Sequence, residues 1–522
     1  MAFTTSRRSV LMLLLTPGLA FLYSGDTRAP AQTARPGSTE AGRAAKFAWA
    51  AQGRWEPVFE LPNVAIHTHV LPNGKVLFWG RRSHLTGSMH EQNCTPYVWD
   101  PRTGQLTATP QPTRTDGTKV NLFCSGHAFL PDGRLLVVGG HVTDGDGLDQ
   151  TCVYDYRTNA WTALPVMNER RWYPTAAALP DGTVLVSSGS YKENGRVVIN
   201  DIPQIWDGCQ WAPATRFAGL SPYARLHVTP SGQVVAMPHP RGQHEYSSAV
   251  MYDAGKVICI GGSNEGTTDV PTAAAAVIDL GANPAVWREI AGMRFPRRQH
   301  NATILADGTV LVTGGTSGPG FNDLSPGRPV HVAELWDPAR EEWKTLAAED
   351  VDRCYHATAV LLPDATVLSA GGGEFAVGSE SNDSRDSHRN AQIFRPPYLF
   401  HGPRPVIVSA PEEVNYSETF RLTVSGPDVG KVTWIRLPSV THALDHSQRI
   451  NVLEFRRDDR GLIIDAPEGP QICLPGHYML FVVSKAGVPS VASIVRIDDV
   501  GAKLADCLQG GRPPLVRHGR GI

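Results

Sequence analysis

Leu130-Pro131-Asp132-Gly133-Arg134-Leu135-Leu136-Val137-Val138-Gly139-Gly140 reads as a tight turn followed by an apolar strand that ends on paired glycines. Asp-Gly supplies the turn, because glycine enters the left-handed backbone region without a steric cost. The same phrase returns as Leu71-Pro-Asn-Gly74, Leu179-Pro-Asp-Gly182, Thr229-Pro-Ser-Gly232, Tyr252-Asp-Ala-Gly255, Leu305-Ala-Asp-Gly308 and Leu362-Pro-Asp-Ala365. Between these turns come Val98-Trp-Asp100, Val153-Tyr-Asp155, Ile205-Trp-Asp207 and Leu335-Trp-Asp337, most of them followed by a second turn and another tryptophan. Each unit therefore supplies about four strands. The turn positions follow one another at 59, 49, 50, 23, 53 and 57 residues. A period of about 50 residues with Gly-Gly strand ends is the kelch signature of a β-propeller. Seven turns predict an all-β chain with a seven-bladed kelch-type propeller over residues 51–400, six blades being the lesser count. The short interval predicts that the blade around Gly232–Gly255 lacks its outer strands.

Composition agrees with that reading. With 51 Gly and 41 Pro the chain suits strands and turns rather than helices. A formal charge of -2 argues against nucleic acid or an anionic membrane as the main partner. After the break at Pro396-Pro397, short alternating strands such as Phe420-Arg-Leu-Thr-Val424 and Tyr478-Met-Leu-Phe-Val-Val483 predict an immunoglobulin-like β-sandwich over 401–498, then a loose tail over 499–522. At the other end, Ser6-Arg7-Arg8-Ser9 precedes an apolar run from Val10 to Tyr23, and Ala29-Pro30-Ala31 offers a cleavage site. Residues 1–31 thus read as a twin-arginine-like export signal and 32–50 as a linker. The run is shorter than the roughly 20 residues of a spanning helix, so a membrane is involved only if this segment stays uncleaved as an anchor. The expected location is periplasmic, extracellular or at the cell surface. Eight cysteines over this length make no disulfide scaffold. In an exported chain some could pair, Cys473 with Cys507 being one pairing, while Cys94, Cys152, Cys209 and Cys259 read equally well as small core residues.

Chemistry-bearing side chains recur at one phase of the repeat. Cys124 in Leu122-Phe-Cys-Ser-Gly-His127, Tyr173 in Arg170-Arg-Trp-Tyr-Pro174 and Tyr355-His356 in Arg353-Cys-Tyr-His356 each stand just before the first strand of a unit. That phase puts all of them at one end of the propeller. His442, in Val440-Thr-His-Ala-Leu-Asp-His446, lies on a predicted loop of the second domain that could reach down the propeller channel. A propeller by itself names no function, and a binding scaffold is the plain alternative.

Taken in order, Phe123-Cys-Ser-Gly126, Arg171-Trp-Tyr-Pro174, Tyr355-His356, Ala391-Gln-Ile-Phe394, Thr441-His442 with Ser447-Gln-Arg449, Leu474-Pro-Gly-His-Tyr-Met-Leu-Phe481 and Ala486-Gly-Val-Pro-Ser-Val-Ala-Ser493 resemble the radical-copper oxidases, the galactose oxidase and glyoxal oxidase family. The resemblance covers nearly the whole mature length. It implies one copper ion per chain, held by Tyr173, Tyr355, His356 and His442, with Tyr355 axial and catalytic. It also implies a thioether between Cys124 and Tyr173 that lets the phenol store a radical. Two imidazoles, phenolate oxygen and an open position suit tetragonal Cu(II). The implied reaction is a two-electron oxidation of a primary alcohol or aldehyde hydrate, with O2 reduced to hydrogen peroxide. Tyr355 takes the hydroxyl proton and the Tyr173 radical takes a hydrogen atom from carbon. No flavin or nicotinamide is called for, since the Gly-Gly pairs end propeller strands.

Two departures bear on substrate. Galactose oxidase stacks a tryptophan over the crosslink, and the matching position here is Tyr191, expected to cover the cofactor in its place. Arg241, in Pro240-Arg-Gly242, lies near where that enzyme has a sugar-binding arginine and is carried as a substrate contact. The absence of a preceding carbohydrate-binding domain leans towards small aldehydes or simple alcohols, with glycan end groups as the other substrate class and a monomer as the expected state. His446 is the rival of His442, while His67, His69, His127, His300 and His477 read as structural or near the channel mouth. The alternative to an oxidase is a non-catalytic kelch-propeller protein for carbohydrate binding or adhesion. The five residues Cys124, Tyr173, Tyr355, His356 and His442 argue against it.

Overall fold

A computed structural model of the chain describes residues 47–84, 87–217, 219–236, 246–263, 270–375 and 387–498. The export-signal reading, most of the linker, the C-terminal tail with Cys507, and Arg241 lie outside the described residues. The repeated turn forms as its residues dictate. The Gly133 N–H donates to the Leu130 carbonyl at 2.9 Å while Gly133 takes φ 85°. Equivalent bonds run from Gly74 to Leu71, Gly182 to Leu179, Gly232 to Thr229, Gly308 to Leu305 and Ala365 to Leu362. At the last of these an alanine adopts φ 68°, a conformation that costs an L-residue about 1–2 kcal/mol.

Seven antiparallel sheets follow from the seven turns, and the chain is a seven-bladed propeller followed by an immunoglobulin-like sandwich. The innermost strands are His67–Val70, Gly126–Phe129, Thr175–Ala178, Leu226–Val228, Ser248–Asp253, Asn301–Ile304 and Ala357–Leu361, belonging to blades 1 to 7 in order. Blade 4 has two described strands, Leu226–Val228 and Val234–Ala236, as its short interval predicts. Blade 7 is composite. Its outer positions are filled by Arg54–Trp55 and Phe59–Glu60, which pair with Asn390–Arg395 and so close the ring with the beginning of the propeller sequence. Outer-strand tryptophans then tie blades 2, 3, 6 and 7 to the blade before each. Trp161 donates to Thr109 Oγ1, Trp211 to the Pro165 carbonyl, Trp343 to the Ala291 carbonyl and Trp55 to the Ala347 carbonyl, at 3.1, 3.0, 2.7 and 2.9 Å. Trp161, Trp211 and Trp343 are the tryptophans that the sequence places after a second turn.

The sandwich packs one sheet containing Thr419–Ser425 and Gly461–Asp465 against another containing Val429–Arg436 and Gly476–Ser484. Leu422, Val432, Trp434, Tyr478 and Leu480 fill the space between the sheets. This domain docks on the turn end of the propeller. Thr433 Oγ1 donates to the Ala306 carbonyl at 2.6 Å, Lys431 Nζ to the Asp307 carbonyl at 2.8 Å and the Ala492 N–H to the Pro363 carbonyl at 2.8 Å. Between Val429–Arg436 and Ile450–Leu453 the chain leaves the sandwich. Its segment Ser439–Thr441 becomes an extra strand of blade 1, with His67 opposite Thr441 and His69 opposite Ser439. Cys473 is a free thiol buried in the sandwich core, where it meets the Tyr478 hydroxyl, whereas Cys209 is disulfide-bonded. The pairing of Cys473 expected from sequence is thereby corrected. Among the described residues no helix is long and apolar enough to cross a membrane.

Trp55→Phe keeps the ring contact with Phe394 but removes the indole bond that joins blade 7 to blade 6. Chemical denaturation should show a loss of about 1 kcal/mol. No loss would mean that strand pairing alone closes the ring.

Candidate metal centre

Each inner strand runs from the site end of the propeller towards the turn end, so residues just ahead of it gather at the end away from the sandwich. Cys124, Tyr173 and Tyr355 stand two residues before Gly126–Phe129, Thr175–Ala178 and Ala357–Leu361. His442 reaches the same end because Ser439–Thr441 carries the sandwich segment up the channel, where Thr441 and Leu444 exchange a tight turn. Cys124, Tyr173, His356 and His442 all adopt positive φ, at 60°, 62°, 69° and 50°. Such strain is kept where the surroundings over-determine it.

The surroundings do so with buried arginines and glycines. Arg171 and Arg353, each two residues ahead of a site tyrosine, donate to the Ser188 and Gly371 carbonyls at 2.6 and 2.7 Å. Gly147 lies so close behind Arg171 that a Cβ there would fall 2.0 Å from the Arg171 carbonyl carbon.

The side chains converge. The Tyr173 and Tyr355 hydroxyls are 2.6 Å apart. The His442 ring lies 4.7 Å from Tyr173 and 4.6 Å from His356, and Tyr355 stacks on His356 at 3.9 Å. His356 Nδ1 meets the Gly373 carbonyl and His442 Nδ1 meets Thr441 Oγ1, both at 2.6 Å. Their Nε2 atoms are buried without a hydrogen-bond partner. A histidine fixed through Nδ1 with a free Nε2 is the arrangement a metal ligand requires. The Cys124 thiol lies within hydrogen-bonding reach of the Tyr173 hydroxyl.

Burial sets the charge state. It pushes the Tyr173 and Tyr355 phenols and the Cys124 thiol well above their ordinary ranges, with Cys124 adding to the effect on Tyr173 and Tyr246 to that on Tyr355. Burial also lowers His356 to about 3 and His442 well below 6.5. In these charge states the two imidazoles and two phenols form a neutral donor cluster. That nitrogen and oxygen donor set fits a Cu(II) ion, whose charge would offset the cost of forming a buried phenolate.

The ring over Tyr173 is its neighbour Trp172, at 3.7 Å and 9°. Tyr191 is elsewhere: it lies half-buried on Ser190–Glu193 with the Arg170 guanidinium 5.4 Å over its ring. Tyr223 stacks on Tyr173 as well, at 4.4 Å and 19°. Two rings at these distances cannot share one face, so the phenol is enclosed between them. The Tyr223 hydroxyl donates to the Ser125 carbonyl at 2.9 Å. Sequence reading missed both partners, although Trp172 is part of the Arg171-Trp-Tyr-Pro174 motif and Tyr223 stands before the inner strand of blade 4. Phe321 and Phe375 wall the Tyr355 ring at 4.7 and 5.8 Å. Phe123 covers His356 at 5.3 Å, with the buried Arg81 guanidinium 4.9 Å above Phe123. His67 Nε2 accepts the Cys124 N–H at 3.1 Å, and His127 and His69 share Ser439 Oγ deeper in the channel. His446, with its Nε2 lacking a hydrogen-bond partner, is buried among His127, His227 and Arg225 rather than against the phenols.

Comparison with known proteins places these residues in context. Residues 404–497 match the family described as "Galactose oxidase-like, Early set domain". The galactose oxidase of Gibberella zeae is 28% identical over 500 residues, which cover 85% of this chain and 70% of that protein. The aldehyde oxidase GLOX of Vitis pseudoreticulata is 29% identical over 433 residues, covering 72% of this chain and 82% of that one. A solved fungal alcohol oxidase in complex with copper superposes with a TM-score of 0.72 and 25% identity over 85% of this chain and 99% of that chain.

Gly147→Ala tests whether the packing behind Arg171 sets the position of Tyr173. Overpacking at the Arg171 carbonyl should cost about 1–3 kcal/mol in thermal unfolding and weaken metal retention. Unchanged stability and metal content would show that the segment carrying Tyr173 is positioned by other contacts.

Proposed function

The chain belongs to the radical-copper oxidase family, and from that premise we propose that it oxidises a primary alcohol or an aldehyde hydrate with dioxygen, releasing hydrogen peroxide. The observation that carries the proposal is the contact between the Tyr173 and Tyr355 hydroxyls, with two free Nε2 atoms and a cysteine thiol at its edge. His356, His442, Tyr173 and Tyr355 would hold the copper. Bound copper supplies an open position for the substrate oxygen and accepts one of the two electrons.

The remaining work falls to the chain. Oxidative coupling of the Cys124 thiol to the Tyr173 ring removes two hydrogens, taken by dioxygen, and a sulfur on the ring lowers the potential at which the phenol yields a radical. Trp172 and Tyr223 enclose that ring and keep water and reductants from it. Tyr355 Oη, as the phenolate left when metal uptake expels its proton, would receive the hydroxyl proton of the substrate, and Tyr173 Oη, as the oxidised phenoxyl radical, would receive the hydrogen atom from its carbon. Phe321, Phe375 and Phe123 exclude water around the reacting groups. This aromatic lining favours a small aldehyde or simple alcohol over a polyhydroxylated sugar, and leaves glycan end groups as the less favoured substrate. The Ser6-Arg7-Arg8 segment supports export of a folded protein that works as a monomer.

Two measurements test this reading. Protein made without copper and then given copper and air should yield one crosslinked peptide containing Cys124 and Tyr173, lighter by two hydrogens, and Cys124→Ser should abolish it. A folded, copper-loaded protein that never forms the crosslink would sink the radical mechanism. The second measurement concerns protons. Because burial keeps both phenols neutral, copper uptake must displace a phenolic proton, so affinity should rise with pH by about tenfold per unit for one proton. Titration in buffers of different ionisation enthalpy reads that proton directly, and pH-independent uptake between pH 6 and 8 would exclude phenolate ligation.

A further inference from the structure

Outside this centre, three side chains on the same face of the ring converge on another point. His90 lies in the long connection that leaves the second strand of blade 1, and His141 and Asp144 lie just after Gly139-Gly140 in blade 2. One nitrogen or carboxylate oxygen from each lies within 4.8 Å of the others. His90 Nδ1 and His141 Nε2 face each other at 3.0 Å, with the rings stacked at 5.3 Å and 24°. Only one proton fits between two nitrogens so placed, and moving it to the other nitrogen of its ring would free a lone pair on each for a shared ligand. Asp144 accepts from Arg81 through Oδ1 at 2.8 Å, leaving Oδ2 for another partner.

Burial is graded across the group. His141 is 0% exposed and its Nδ1 has no hydrogen-bond partner. His90 is exposed and the Asp144 side chain is 42% exposed. An ion would therefore enter from solvent between His90 and Asp144 and rest on His141.

We propose that His90, His141 and Asp144 form a second metal site, open to solvent, for a late first-row divalent ion of the Zn2+ or Cu2+ class. The surroundings decide the class. Lys192 Nζ hydrogen-bonds Thr143 Oγ1 at 3.0 Å, so two cations, Lys192 and Arg81, stand beside one carboxylate that is already shared. A hard ion such as Ca2+ needs several oxygen ligands and finds too few here. Imidazole nitrogen binds more strongly along the series towards Cu2+, and an arginine on the far oxygen of a ligating carboxylate is an ordinary supporting contact. The Phe123 ring separates this site from the candidate copper centre, touching His141 at 5.1 Å and His356 at 5.3 Å. The two sites are thus distinct and close.

The test uses Zn2+, which performs no radical chemistry, on full-length protein stripped with a chelator. Zinc content would be measured by equilibrium dialysis at low micromolar concentration, and position by anomalous diffraction at the zinc edge. The wild type should show anomalous density between the three side chains. His90→Ala/Asp144→Asn, which alters the exposed members, should lose that density and its share of zinc while remaining folded. His356→Ala/His442→Ala should keep it. Equal zinc in the wild type and His90→Ala/Asp144→Asn, or density at Tyr173–His442 alone, would overturn the proposal. Density at His90–His141–Asp144 without any at the other centre would uphold this site and count against the copper reading instead.

Discussion

The pairing of Ser439–Thr441 with His67–His69 is the constraint on which the site depends. The two domains meet at the turn end of the propeller, while Tyr173, Tyr355 and His356 stand at the opposite end. A loop lying on the domain interface could not reach them. By joining blade 1 as an additional inner strand, the sandwich segment gains backbone hydrogen bonds along the channel and is held in one register. A slip by one residue would turn the side chains to the other face. His442 is thereby delivered as rigidly as the residues that belong to the propeller itself.

A single physical cause governs the electrostatics of the centre. Burial raises the phenols and the thiol and lowers the imidazoles, so every group is driven to its neutral form. A cluster like this binds no cation through preformed negative charge. Its attraction for a metal lies in lone pairs held without competing partners and in phenolic protons that a sufficiently acidic ion can expel. That requirement discriminates strongly between metals, because hard ions such as Ca2+ and Mg2+ gain little from two imidazoles. Arg81 adds a fixed positive charge nearby and favours the ionised forms of Tyr355 and Cys124.

The fold was legible because its information is local and repeated. Asp-Gly turns, Gly-Gly strand ends and the outer-strand tryptophans announce themselves within a few residues, and the short interval after Gly232 marks the blade with two described strands. Tyr173, Cys124, Tyr355 and His356 could be phased by the same repeat. His442 could not be phased that way: its place on a loop of the second domain suggests a reach into the channel, and the family resemblance is what separates it from His446. The ring that covers Tyr173 was sought by position at Tyr191. What decides it is the left-handed turn at Tyr173, which folds that ring back against its neighbour Trp172. Sequence position assumed one backbone path, and the turn gives another. Tyr223 was missed because blade 4 is the least regular unit, although the phase that located the other tyrosines applies there too. Export leaves a pairing of Cys473 with Cys507 open in the sequence, whereas the structure buries Cys473 as a free thiol among the sandwich core residues.

The composite blade 7 has a consequence for the order of events as the chain is made. Arg54–Trp55 and Phe59–Glu60 leave the ribosome first among the propeller strands, yet their partner Asn390–Arg395 emerges more than three hundred residues later. Until then blade 1 lacks a neighbour on one side, and the ring stays open. The sandwich segment, translated later still, can thread a channel only once there is one. Among Cys124, Tyr173, Tyr355, His356 and His442, His442 is therefore the last to take its place. The topology thus sets ring closure before threading, and the converging side chains come together only after both.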